Sequence, residues 1–424
     1  MLPAKMTPAH KTISRDPKPR PFGNFFFFVL VLVTIIGPLS LHLFFPSTPS
    51  VKAEFNVSES VAQLSVSAPM FVMAFMTLIF GYLADRLGRR RVLIGGILLF
   101  SIGGAISIAA ETIWFLIFGR LVQAAGGACG ITLARIIARD KYGQDQLVRA
   151  IAYLTMGYSL GPIFAPPIGG YLVEMFGWRS VLILALVAGL KIVTLVYFFI
   201  DETKPTKALK SDQDNEARSI LKDFILLFRD IKFTSLTFQI GLSTGAFFTL
   251  ATGAAFIMME NLGRPATEYG LYFTLLPCGY LLGNFVSGRV GSRVSIETMV
   301  LVSTAIMVAA ISSFATFTFA GILSPMTLFG FGSALTFGQG MSTAYAQSGL
   351  LRVPSNLTGT AGGIGAFAQM FGAAVLSQLY GFLADGTVNT LVIIVGAATI
   401  LALIAATINF FFNHPIFQRS RTIT

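Results

Sequence analysis

Twelve apolar stretches of roughly twenty residues recur along the chain, and a helix of about that length crosses the hydrocarbon core of a bilayer. They lie near 24–45, 60–83, 92–110, 113–138, 150–172 and 178–200, then near 234–260, 267–288, 296–317, 319–346, 358–383 and 388–412. Lipid offers no partner to a backbone N–H or C=O, so a segment of this kind must satisfy its own backbone as a helix. Composition agrees: hydrophobic residues make up 54% of the 424 and charged residues only 12%, where a soluble domain carries roughly a quarter. The expected fold is an all-α polytopic membrane protein.

The net charge of +11 does not mark a nucleic-acid binder, because the basic residues are sorted by side. With twelve spans both ends of the chain share one face, and 24 of the 30 lysines and arginines fall on that face. The other face holds Lys52, Arg179 and Arg264, while Arg120, Arg135 and Lys191 lie inside spans. Basic residues stay on the cytoplasmic side, which predicts cytoplasmic termini. The basic stretch before Asn24 runs into an apolar run too long for a signal peptide, with no A-x-A-like site after it, and reads as a retained first helix. Cys129 and Cys278 both sit within spans, so no disulfide framework is implied.

The only long polar stretch between spans, 201–233, has seven basic and seven acidic residues and separates six spans from six. The expected organisation is a cytoplasmic segment 1–23, a six-helix bundle 24–200, a linker 201–233, a second bundle 234–412 and a cytoplasmic tail 413–424. Within the linker Ile220, Leu221, Phe224, Leu227 and Phe228 have helical spacing, which suits a helix on the membrane surface; a partly disordered linker is equally open for 204–217. The bundles also resemble each other. At an offset of 203, Arg86, Gly88 and Arg90 fall on Arg289, Gly291 and Arg293, and Gly169 falls on Gly372. Such parallel repeats imply a pseudo-two-fold axis along the membrane normal and a cavity between the halves.

Three stretches carry more specific information. Gly81-Tyr-Leu-Ala-Asp85-Arg86-Leu-Gly88-Arg89-Arg90 joins spans two and three; Gly88 supplies backbone freedom, and Asp85 is expected near a helix N-terminus or paired with an arginine. In span five, Gly157, Gly161, Pro162, Pro166, Pro167, Gly169 and Gly170 combine small residues four apart with helix-bending prolines, which permits close helix approach. In span four, Arg120 and Gln123 share a helix face, and an arginine there needs a polar partner or water unless it snorkels to the near surface.

These stretches resemble the major facilitator superfamily along nearly the whole chain. The loop is similar to the family's signature between spans two and three. The span-five stretch resembles the motif of drug:proton antiporters, which implies export, and Arg120 matches the fourth-helix arginine implicated in proton coupling. Arg135, Arg139 and Asp140, with Leu39–Pro49 and residues 255–284, resemble the bicyclomycin-resistance (Bcr/CflA) branch. That branch usually has a carboxylate in the first helix where this chain has His42. Histidine titrates near pH ~6.5 when unperturbed, so His42 is a candidate proton carrier; an interfacial histidine outside transport is the alternative.

Lys191, Gln123, Gln239, Asn284, Gln339 and Gln369 are candidate cavity residues, with interhelical hydrogen bonding as the other reading. The expected activity is efflux of small amphipathic compounds in exchange for protons, by a monomer in the bacterial inner membrane. A dedicated metabolite or siderophore transporter, or a sensor or scaffold, stays open. Partners are then a small-molecule substrate, protons and lipid, with no nucleic acid. No nucleotide-binding loop occurs and no catalytic or metal-ligand spacing was found, so neither an enzyme nor a primary pump is expected, and no cofactor or metal.

Overall fold

The computed structural model describes residues 25–203, 223–354 and 357–413. The proposed terminal segments, most of the linker, and Ile220 and Leu221 of its amphipathic pattern lie outside the described residues. The first half comprises α1 (Phe25–Phe44), α2 (Thr48–Phe55), α3 (Glu59–Leu87), α4 (Arg89–Ile108), α5 (Ile113–Gly127), α6 (Cys129–Phe176) and α7 (Arg179–Phe199). The second comprises α8 (Ile231–Phe256), α9 (Ala266–Phe273), α10 (Leu275–Val290), α11 (Ile296–Phe319), α12 (Pro325–Leu350), α13 (Thr358–Leu383) and α14 (Val388–Asn413).

Nine described helical segments are long and apolar enough to span a membrane. The helices at 150–176, 266–290 and 325–350 occupy the other three predicted spans but are interrupted or rich in glycine and polar residues. Several boundaries differ from expectation. The first span does not stop near residue 45: a 3-10 turn at Phe45–Ser47 carries it into α2, where Asn56 ends it in the left-handed region. Thr274 divides the eighth span into α9 and α10. The tenth starts at Pro325 rather than 319, because Ser324 and Thr327 form a capping box there.

Helical backbone continues unbroken through α6, yet the chain reverses inside it. Gly130 lies against Val33 of α1 and Gly157 against Val31, whereas a straight helix would set those two glycines about 40 Å apart. Spans four and five are therefore the two limbs of one bent element. In the first half α4 packs on α5 and α7; in the second α11 packs on α12 and α14. The halves meet along α3–α13 and α6–α9, two seams that the pseudo-two-fold exchanges. The offset pair behaves alike too: Gly169 lies against the Leu43 carbonyl of α1, and Gly372 against the Gly241 carbonyl of α8.

Polar residues mark two faces. Arg86, Arg89, Arg90, Asp140 and Glu202 gather at one, here the basic face, and Lys52, Arg179 and Arg264 at the opposite face. A helix at 223–229 turns Leu227 into the second half beside Phe233 and Leu236, near the basic face.

Candidate functional site

The junction between the halves is a polar clasp at the opposite face. Lys52 Nζ reaches Glu260 at 2.6 Å and Glu59 at 4.0 Å. Gln63 donates to Thr252 Oγ1 at 2.7 Å, Ser67 donates to Gln378 at 2.5 Å, and Gln378 Nε2 donates to the Ser60 carbonyl at 3.2 Å. Thr267 donates to Glu174 through both its N–H and its hydroxyl. Farther along the α3–α13 seam the contacts become aromatic, Phe71 with Phe371 and Phe75 with Phe367. The described hydrogen bonds joining the halves thus cluster at one end.

The glycine- and proline-rich limb of α6 serves both interfaces. Gly157, Gly161 and Gly169 lie against Val31, Pro38 and Leu43 of α1, while Gly170 meets Ala266 and Thr267 of α9. Gly270 in turn sits on Pro166 and Pro167. A Cβ at either Gly170 or Gly270 would strike backbone of the other half, so small residues are required for this approach. Pro162, Pro166 and Pro167 all lie within the helix.

Arg120 is only 2% exposed, yet it has no carboxylate partner among the described residues. Its Nη1 donates to Gln123 Oε1 at 2.6 Å and to Ser40 Oγ at 3.1 Å, Nε donates to the Ser65 carbonyl at 3.4 Å, and the guanidinium lies 4.3 Å from the Phe44 ring centroid. The snorkelling alternative does not hold, because neighbouring helices enclose the side chain. Beside it Gly37, Ser40, Pro69, Met73 and Gly127 line a small cavity of about 10 Å³, room for about one water. Gln123 Nε2 is buried without a partner there.

His42 is enclosed rather than interfacial, at 3% exposure. The first span extends to Phe55, so His42 lies well inside it. Its Nδ1 is 2.8 Å from the Pro38 carbonyl, which makes Nδ1 the protonated nitrogen and leaves the buried Nε2 unpartnered. Phe45, Phe248 and Phe273 surround the ring with centroids at 5.0, 5.8 and 6.3 Å. Two of those three belong to the second half. His42 and Arg120 are not brought together: Ser40 and Phe44 of α1 face the arginine, and His42 faces the other half.

In the loop, Asp85 pairs with Arg89 at 2.8 Å, and Arg89 pairs also with Asp140 at 3.0 Å. The helix N-terminus goes instead to Glu202, which accepts from the N–H groups of Arg89 and Arg90. Arg90 donates to the Tyr197 carbonyl at 2.6 Å and Arg86 stacks on Tyr82. Gly88 has φ +97°, and a Cβ there would meet Glu202 at 2.5 Å, whereas Gly81 has open space.

The other candidates scatter. Gln239 donates to Ser243 and Thr304 inside the second bundle, 3.0 Å each. Gln339 is buried with Oε1 unpartnered, and Gln369 Nε2 donates to the Gly365 carbonyl of its own helix at 3.3 Å. Asn284 donates to the Tyr280 carbonyl at 3.1 Å. Lys191 does not join them. It is exposed on α7 with Leu184, Val187 and Leu190, because α7 packs through Ala185, Gly189, Ile192 and Val196.

Sequence reasoning missed Glu59 and Glu202. Glu59 begins α3, is 8% exposed, has a buried unpartnered Oε1, and stands near Tyr380 across the seam. Its signal was faint: one acidic residue just ahead of an apolar run.

Comparison with known proteins places this architecture. A profile described as Major Facilitator Superfamily matches residues 30–377. The chain is 26% identical over 285 residues to the Bicyclomycin resistance protein homolog of Haemophilus influenzae, covering 66% of this chain and 70% of that one. It is 26% identical over 378 residues to Multidrug resistance protein D of Escherichia coli, covering 88% and 93%. In fold it is similar to a bacterial homologue of the human lysosomal transporter Spinster in an inward-facing, unoccupied conformation, with a TM-score of 0.72, 16% identity and coverage of 92% and 97%. A D-xylose-proton symporter gives the same TM-score and identity, with coverage of 91% and 97%.

Proposed function

The chain belongs to the major facilitator superfamily, and on that premise we propose that it exports small amphipathic compounds across the bacterial cytoplasmic membrane in exchange for protons. The protein works as a monomer, with both termini in the cytoplasm and the basic face turned inward. The observation that carries the reading is the one-ended clasp between two bundles related by a pseudo-two-fold. Lys52–Glu260 and its neighbours close the outer face, while no described hydrogen bond joins the halves at the basic face. Breaking that clasp and closing the basic side about the α6–α9 and α3–α13 seams would alternate access to one cavity. Export rather than import is supported by the span-five motif and by relatives named for drug resistance.

His42 carries the proton in this reading. Its unpartnered Nε2 can accept one, and the resulting imidazolium would sit among Phe45, Phe248 and Phe273, whose ring faces attract a cation. Separation of the halves removes Phe248 and Phe273 from His42, so the protonated and neutral forms favour different arrangements. Arg120 braces α1 through Ser40 and Phe44 from the other side.

The test is efflux from loaded proteoliposomes under an imposed pH gradient. Gradient-dependent flux of a compound such as an amphipathic antibiotic is expected. Absence of such flux for every candidate compound overturns export by proton exchange. With flux in hand, His42→Ala is expected to abolish its pH dependence while leaving substrate binding; full pH-dependent transport by that variant removes His42 from the mechanism.

A further inference from the structure

Arg120 leaves part of its hydrogen-bonding capacity unspent. A guanidinium carries five N–H groups, and three of them go to Gln123 Oε1, Ser40 Oγ and the Ser65 carbonyl. That carbonyl is free to accept because Pro69, one turn on in α3, has no N–H to give it. The two N–H groups of Nη2 have no partner among the described residues. Nη2 is nevertheless not fully occluded. In a side chain only 2% exposed, that surface faces the cavity which Arg120 lines. Ser40 stands at the same cavity; it accepts from Arg120, and its own O–H goes to no described acceptor. Gly37, Ala124 and Gly127 make the room, since none has a side chain long enough to fill it.

The helices around this cavity supply donors but no negative charge. None of the described ion pairs includes Arg120. Helices α1, α4 and α5 contain no acidic residue, and the two of α3, Glu59 and Asp85, stand at its ends. Arg120 itself lies about 10 Å along α5 from Ile113, the outer end of that helix. An arginine buried at such a depth is held at a cost that a counter-ion relieves. Water fits the room but not the chemistry. It needs acceptors for its own hydrogens, whereas Ser40 Oγ and Gln123 Oε1 already accept from Arg120, and it brings no charge. Gln123 Nε2 turns toward Gly104 of α4 and is not a ligand. The rest of the lining, Leu41, Pro69, Met73 and Phe100, is apolar. A monatomic anion accepts from every donor present, donates nothing and cancels the charge. Larger anions are excluded, because a cavity of about 10 Å³ holds about one water.

We propose that this cavity is a binding site for a small monovalent anion, chloride in the cell, held by Arg120 Nη2 and the Ser40 hydroxyl as counter-ion to the buried guanidinium. The walls come from α1, α3, α4 and α5, all of the first bundle. The site therefore persists whether or not the halves separate, and the inference does not depend on the exporter reading.

Thermal unfolding of the full-length protein in nanodiscs is followed in potassium chloride, potassium bromide and potassium gluconate at one ionic strength, which holds screening constant. The midpoint is expected to be higher in chloride and bromide than in gluconate by about 2–4 °C, as for a ligand that binds only the folded state. Gln123→Glu puts a fixed carboxylate beside the guanidinium, and is expected to fold and to lose the difference between salts. Ser40→Ala removes one donor to the anion and is expected to raise the chloride concentration of the half-maximal shift about ten-fold. Crystals grown with bromide are expected to show its anomalous signal beside Arg120. Equal midpoints in the three salts, which is what water alone in the cavity would give, overturn the proposal. So does a salt difference that persists undiminished in either folded variant, or a bromide signal confined to other places. Should Gln123→Glu fail to fold, Ser40→Ala and the bromide signal decide.

Discussion

Arg120 shows how a single residue is held where its chemistry is least welcome. Hydrogen bonds to a charged group contribute roughly 1.5–3 kcal/mol each, and Arg120 makes them to Gln123, Ser40 and Ser65 on three helices. Replacing it with alanine leaves the amide of Gln123 without its charged donor inside the membrane. Arg120→Ala is therefore expected to destabilise the protein by about 2–4 kcal/mol, a loss typical of a broken buried charge network. A fall in the thermal unfolding midpoint in detergent measures it. Arg120→Lys recovers only part, because an ammonium cannot reproduce the planar donor fork. The sequence placed Arg120 and Gln123 on one helix face correctly, but the hydroxyl and carbonyl that complete the set come from α1 and α3, and no local spacing could have named them.

At the scale of an element, the loop between α3 and α4 separates two glycines that look alike in the sequence. Gly88 sits at φ +97° with Glu202 closing over it, and a side chain in such a conformation costs of order 1–3 kcal/mol. Gly81 is ordinary helix with open space beside it. Gly88→Ala is expected to lower transport and stability markedly, whereas Gly81→Ala leaves both unchanged or slightly improved, since alanine favours helix by about 1 kcal/mol over glycine. Transport assays and thermal unfolding on the two variants check this. The seam between α6 and α9 makes a similar demand. A Cβ at Gly270 would meet Pro167 Cα at 2.8 Å, so Gly270→Val forces the halves apart at a cost of roughly 1–3 kcal/mol. Increased distance between spin labels on opposite-face loops of the two halves is the expected result.

At the scale of the whole molecule, the proposed mechanism makes the clasp at the opposite face the element that sets which state is occupied. Lys52 and Glu260 are partly exposed, so their pair contributes about 1 kcal/mol or less. That is still enough to shift a two-state balance several-fold. Lys52→Glu places a glutamate against both Glu59 and Glu260 and is expected to shift the population toward an open outer face. The exchange Lys52→Glu with Glu260→Lys restores closure only in part, because Glu59 then faces a glutamate. The same spin-label distances, compared across the single and double variants, report the shift; identical distances in all of them would remove the pair from the gate.

Legibility followed the range of the interactions. Apolar run length, charge sorting and the 203-residue offset determined a two-bundle all-α membrane protein and the resemblance to its family, because these properties act within one helix or one turn. The same local rules misplaced the end of the first span, where Phe45–Ser47 carries helix onward through a Pro-containing turn. They also set Lys191 in the cavity, although α7 packs through a different stripe. Only the tertiary structure could decide that His42 is enclosed by rings from both halves and that the clasp lies at one face. Each of those facts joins helices more than a hundred residues apart in the chain. A sequence orders residues along a helix by hydropathy and spacing, but which partners meet across the bundle is settled when side chains from both halves compete for the same space.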